Sequence, residues 1–252
     1  MNIRRLIPLF VPLAAWLLSQ AFLLFPKLFL VAIALGVIII IFGIRILVDQ
    51  DKKRDWPLYI VAPLLFFLSF SAYAAIIVSQ LAIQVIFLLV VWFLFSYLKN
   101  LYYYLSYGAP DRAAKIDYLM VSGGFLTVFA AAAVLFDLPA FINWPLAAVV
   151  LVFLPIFFLL FLQFLPFKKI NLKSEGTWIA VCTLALTELA WGLALLPLNF
   201  NILALVMAII YYLFISSTRL KWQGSLSARG LKYPLILSIF IILLLLLTAN
   251  WL

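Results

Sequence analysis

The stretch TLALTELAWG, residues 183–192, sets one carboxylate, Glu188, inside a run of otherwise uncharged residues. Thr183 and Thr187 stand one helical turn apart just before it. Tyr211 falls at matching depth in the next apolar run. Pro155, in the preceding run, has no N–H and so frees the carbonyl of Leu151. Glu188, Thr187, Thr183, Tyr211 and Pro155 therefore form the candidate polar site. An ionisable group at the centre of a bilayer costs roughly 2.5–3.5 kcal/mol, so Glu188 is expected to hydrogen-bond to Tyr211 or to the backbone near Leu151. Such a carboxylate couples proton movement to transport, binds a solute, or ties two helices together. With no second acid beside it, hydrolytic chemistry of the paired-carboxylate kind is not legible.

Other chemistries are narrowed by what is missing. The sequence has no histidine, which removes His-based acid–base and nucleophilic catalysis and the usual imidazole metal sites. Its single cysteine, Cys182, lies in an apolar run, where free cysteine behaves as a small hydrophobe. No catalytic, cofactor or metal motif is present in the sequence, and the chain is not expected to be an enzyme.

The elements that must carry Glu188 follow from composition. The 252 residues are 69% hydrophobic and 10% charged, whereas a soluble domain is about 45–50% apolar and about 25% charged. Apolar runs near 20 residues recur along the chain, the length a helix needs to cross a hydrocarbon core of about 30 Å. They lack the two-residue alternation of a membrane barrel. The fold class is all-α, a polytopic transmembrane helical bundle forming one integral membrane domain over residues 1–252. Nine crossings are predicted, at 6–25, 28–48, 57–78, 80–98, 117–137, 145–166, 177–197, 201–218 and 234–250. Tight, nearly uncharged connections at 25–27, 79–80, 137–144 and 197–201 pair the first eight into hairpin units at 6–48, 57–98, 117–166 and 177–218. The intervening stretches at 49–56, 99–117, 167–176 and 219–233 are polar and are read as loops.

All 17 Lys and Arg except Lys27 fall on one side of these crossings. Short-loop bias of this kind orients a membrane protein with the basic side in the cytoplasm. The expected placement is a prokaryotic inner membrane, amino terminus cytoplasmic and carboxyl terminus outside. The opening MNIRRLIPLF also has the basic–apolar pattern of a leader, but the run continues to Phe25 and pairs with 28–48, which favours a retained helix. The net charge of +9 sits in juxtamembrane segments. It is expected to attract anionic lipid headgroups and not nucleic acid. Trp56, Trp144, Trp178, Trp222, Trp251 and the cluster Tyr102–Tyr104 read as interfacial anchors.

The last three hairpins start about 60 residues apart, which suggests parallel repeats. Small or kink-forming residues recur on the odd-numbered crossings: Pro8, Pro12, Ala15 and Ser19; Ala62, Ser69 and Ala72; Gly123, Thr127 and Ala130; Ala180, Thr183, Thr187, Ala190 and Ala194. Such stripes let membrane helices approach closely. The expectation is an inner set of odd crossings, with bulky even crossings such as 145–166 facing lipid. The primary functional expectation is a permease for a small or lipophilic solute, with Glu188 as its binding or coupling group. The alternative is a structural subunit in which Glu188 ties helices together, either within the chain or against a membrane-protein partner or second copy. An enzyme acting on lipid comes third.

Overall fold

The computed structural model describes residues 3–48, 56–168, 172–224 and 228–248. Ten α-helices account for nearly all of them, and no strand occurs among the described residues. They are α1 (Ile7–Leu24), α2 (Phe29–Leu47), α3 (Trp56–Ile76), α4 (Gln80–Tyr107) and α5 (Pro110–Ile142), then α6 (Leu146–Leu162), α7 (Leu165–Lys168), α8 (Leu172–Ala194), α9 (Phe200–Trp222) and α10 (Ala228–Thr248). Among the described residues, eight helical segments are long and apolar enough to cross a bilayer, α6 and α7 counting as one. The chain is a multi-pass helical membrane protein. The ninth predicted crossing coincides with α10, whose continuous apolar part is Pro234–Leu245. Residues 249–250 of that crossing lie outside the described residues.

Local chemistry explains several helix ends. Ser79 caps α4 by accepting a hydrogen bond from the Ala82 N–H at 3.4 Å. Asn199 caps α9, its side chain accepting from the Asn201 N–H at 2.9 Å. Pro26 opens a single 3₁₀ turn between α1 and α2. These three turns fall where uncharged connections were expected.

The polar stretches behave differently. Most of 99–117, read as a loop, is helical: α4 continues to Tyr107 and α5 begins at Pro110. Charges mark where a helix leaves the membrane, not where it stops, because Lys, Arg and Asn remain compatible with a helix in water. The break is instead set by Gly108, which takes φ +64° and donates its N–H to the Tyr104 carbonyl. Glycine adopts this left-handed helix-ending geometry without a Cβ penalty. Likewise α5 runs past its expected end to Ile142, and Asn143 at φ 53° turns the chain towards α6. The 49–56 loop lies, but for Trp56, outside the described residues.

The helices form two compact units, Met1–Gly124 and Phe125–Leu252. In the first, α1 packs on α2 and α4, and α3 closes the ring by packing on the same two helices. Pro8, Pro12, Ala15 and Ser19 are all buried, as a close-contact stripe requires. The centre is aromatic. Phe66 stacks on Phe93 with centroids 4.0 Å apart, and the fully buried Tyr97 donates its hydroxyl to the Tyr59 carbonyl at 3.0 Å.

In the second unit α8 packs on α6 and α9, and α10 packs on α9. Two expectations are corrected here. The bulky residues of α6 do not form a lipid-facing ring: Phe153, Phe157, Leu160 and Phe161 are buried, and Phe157 stacks on Tyr211 at 6.4 Å. Conversely α8, expected on the inside, is the least buried of the eight segments. The reason is complementarity. Thr183, Thr187 and Ala190 make only one face of α8 fit for close packing, and that face is buried. Large rings, in turn, gain most where small residues leave room for them.

Candidate functional site

The α8–α9 hairpin that carries Glu188 is tied at its basic end by a compact polar cluster. Glu175, in the first turn of α8, pairs with Lys221, in the last turn of α9, at 2.8 Å. Both charges also oppose the helix dipole at their own ends. The Lys221 ammonium lies 4.5 Å from the centroid of the Trp178 ring. The Trp178 indole N–H donates to the Thr218 hydroxyl at 3.1 Å, and that hydroxyl donates to the Phe214 carbonyl at 2.8 Å. Trp178 thus offers an apolar ring with one polar edge, the kind of side chain favoured at headgroup depth. From there α8 climbs about 15 Å to Glu188 at 1.5 Å per residue, and continues beyond it to Ala194.

At that depth the five candidate residues do not converge. Glu188 is exposed, on the face of α8 opposite the one that packs. Thr183 and Thr187 are on the buried face, where Thr187 donates to the Thr183 carbonyl at 2.8 Å. The Thr183 hydroxyl has no hydrogen-bond partner. Tyr211 is fully buried in α9 between Phe157 and Phe161, and its hydroxyl is also unpartnered. Pro155 is exposed on α6, as is Leu151 one turn earlier. The expected bond from Glu188 to Tyr211 or to the Leu151 backbone is not formed among the described residues. Adjacent positions on a helix point about 100° apart, so Thr187 and Glu188 face different surroundings.

The residues around Glu188 instead make an outward strip. Val181, Leu184 and Leu195 are each more than half exposed, at 55%, 54% and 64%. Gly192 has open space where a Cβ would stand. The order Val181, Leu184, Glu188, Gly192, Leu195 follows the three-and-four spacing of one helix face. Small residues at such spacing let membrane helices approach one another closely.

No family model, curated protein or solved structure matches the chain. Among the described residues, no group of three or more His, Cys, Asp or Glu side chains is placed to hold a metal ion. Cys182 is buried against the packed face of α8.

Two polar features were not found from the sequence. The Glu175–Lys221–Trp178 cluster joins residues 46 positions apart; an acid and a base at the ends of one predicted hairpin were its only signal. The second is a groove of about 590 Å³ between the start of α1 and the end of α4, lined in part by Arg5 and Lys99. Its residues were legible only as separate basic and aromatic clusters.

Proposed function

We propose that the protein is a subunit of a membrane assembly, and that the outward face of α8 docks a transmembrane helix of a partner protein through Glu188. The observation that carries this reading is the exposed carboxylate about 15 Å along α8 from the Trp178 anchor. Left against hydrocarbon, it costs roughly 2.5–3.5 kcal/mol. A helix bearing a hydrogen-bond donor or a cation at that depth removes the penalty. Leu184, Gly192 and Leu195 supply the apolar and small surface beside it. The predicted crossings of this chain carry no Lys or Arg near mid-depth, so a cationic partner group comes from a different protein.

The permease reading draws less support. A coupling or binding carboxylate works with other polar groups around a shared cavity, whereas Glu188 faces away from Thr183, Thr187 and Tyr211. Both units fill their interiors with aromatic rings. A prokaryotic inner membrane, with the basic ends of the helices in the cytoplasm, remains the placement that the Lys and Arg distribution supports.

The test is site-specific photocrosslinking in membranes. A photoreactive side chain at Leu184 or Leu195 should give a discrete protein adduct, and one at Leu17, on the exposed face of α1, should not. Glu188→Leu should lower the adduct yield several-fold, while Glu188→Gln, which still hydrogen-bonds, should retain most of it. An adduct of twice the chain mass would assign the partner to a second copy. Adducts to lipid alone from both α8 positions would refute the proposal.

A further inference from the structure

The groove of the first unit lies where the start of α1 meets the end of α4. Its polar lining is Arg5, Lys99, Tyr102 and Tyr103, and Leu9 and Phe95 stand among its apolar walls. Every one of these polar groups can donate a hydrogen bond, and the described residues lining the groove include no carboxylate. Arg5 and Lys99 are exposed, and neither has a carboxylate partner among the described residues. The aromatic side is well braced. Tyr102 and Tyr103 meet edge to face at 5.5 Å, and the Arg112 guanidinium lies 4.9 Å from the Tyr103 ring centroid. Arg112 is held in turn by a hydrogen bond to the Asn100 side-chain oxygen at 3.1 Å. Lys99 lies 5.4 Å over Phe95.

A pocket of donors with two cations that have no carboxylate partner among the described residues fits a compact anion with several oxygens. Its apolar continuation decides what the anion is attached to. Below the groove, Leu9, Phe10, Leu13 and Leu17 are each more than half exposed and run down one face of α1. That strip begins at the groove wall with Leu9 and runs along α1, a helix long and apolar enough to cross a bilayer, beside which a fatty chain can lie. Free phosphate has no use for it.

We propose that this groove binds the phosphoryl headgroup of an anionic membrane lipid, with an acyl chain lying along Leu9 and the exposed face of α1. Arg5 and Lys99 hold the phosphoryl oxygens, and the Tyr102 and Tyr103 hydroxyls donate from the side. The site belongs to the first unit alone and is independent of the role of Glu188.

The experiment is lipid binding by the delipidated full chain in neutral detergent, followed by native mass spectrometry. Phosphatidylglycerol should bind more tightly than phosphatidylcholine. Arg5→Gln and Lys99→Gln should each weaken phosphatidylglycerol about fivefold, and together about 25-fold, if each cation contributes as basic residues near anionic lipid usually do. Lys115→Gln with Lys232→Gln removes the same net charge outside the groove and should change binding less than about twofold. Arg5→Lys with Lys99→Arg should keep the preference. Matching melting temperatures for all variants separate loss of the site from loss of the fold. Millimolar inorganic phosphate should leave phosphatidylglycerol bound. Displacement by it would assign the groove to a soluble phosphate compound and overturn the lipid assignment. Equal binding of the two lipids, or undiminished phosphatidylglycerol binding by the Arg5→Gln/Lys99→Gln variant, would overturn the site itself.

Discussion

Gly123 offers the sharpest test of how the first unit is packed. A Cβ added there would stand 2.3 Å from Cε2 and 2.6 Å from Cζ of Phe93. Ordinary contact needs about 3.5 Å or more between carbons, so the ring must retreat by roughly 1 Å. It has nowhere to go. Phe93 is 2% exposed, and its other face is stacked on Phe66 at 4.0 Å and 14°. Phe66 is itself fully buried and tilted against Phe70 at 4.6 Å. Overpacking of such a core costs about 1–3 kcal/mol, while replacing glycine inside a helix returns about 0.5–1 kcal/mol. Gly123→Ala should therefore destabilise the chain by about 0.5–2 kcal/mol net. Gly192→Ala gains the same propensity in open space and should be neutral or stabilising. Thermal unfolding in one detergent, followed by the loss of helical signal, compares the two directly. Adding Phe93→Leu to Gly123→Ala should recover part of the loss, since the smaller side chain vacates the contact. Wild-type or higher stability for Gly123→Ala would refute the close approach of α5 to Phe93.

Two further outcomes probe polar satisfaction and orientation. Gln20 and Gln84 exchange reciprocal amide hydrogen bonds at 2.9 and 3.0 Å between α1 and α4, so Gln20→Leu, which orphans the partner amide, should cost about 0.6–2 kcal/mol in detergent unfolding. Adding Gln84→Leu should restore most of that stability, because replacing both partners leaves no unmet polar group; a double variant weaker than the single would contradict the pairing. For orientation, Ala114→Cys should resist an impermeant thiol reagent in intact cells while Phe141→Cys, whose native side chain is 77% exposed, should label. The buried Cys182 should give little background, and the reverse pattern would invert the assigned topology.

The bundle itself was legible because membrane helices answer to one strong local requirement. Every backbone N–H and C=O in hydrocarbon must be satisfied within its own segment, so a long apolar run becomes a helix whatever surrounds it. The turns at Pro26, Ser79 and Asn199 were legible for a similar reason, since capping and proline act within a few residues. Charge, by contrast, is a poor guide to where a helix stops. Lys99, Asn100 and the tyrosines after them stay helical as far as Gly108, because leaving the membrane relaxes the need for apolar side chains and not the preference for the helix.

The facing of each helix is another matter. Thr187 and Glu188 are neighbours in the chain, yet one is buried and the other exposed. In a soluble helix, polarity would have told them apart, since water rewards a polar face and the core an apolar one. Lipid is as apolar as the core, so leucine and phenylalanine suit both sides equally and hydropathy is silent about rotation. Leu160 of α6 looked fit for lipid and is buried, while Leu184 of α8 is equally apolar and exposed. The many membrane crossings, their rough places and the basic ends of the helices all follow from the order of residues. Which face of α8 packs, that Glu188 points away from Tyr211, and that Arg5 and Lys99, 94 positions apart in sequence, share one groove follow from the packing of segments against one another. Those facts depend on shape complementarity between segments, which no single run of residues encodes.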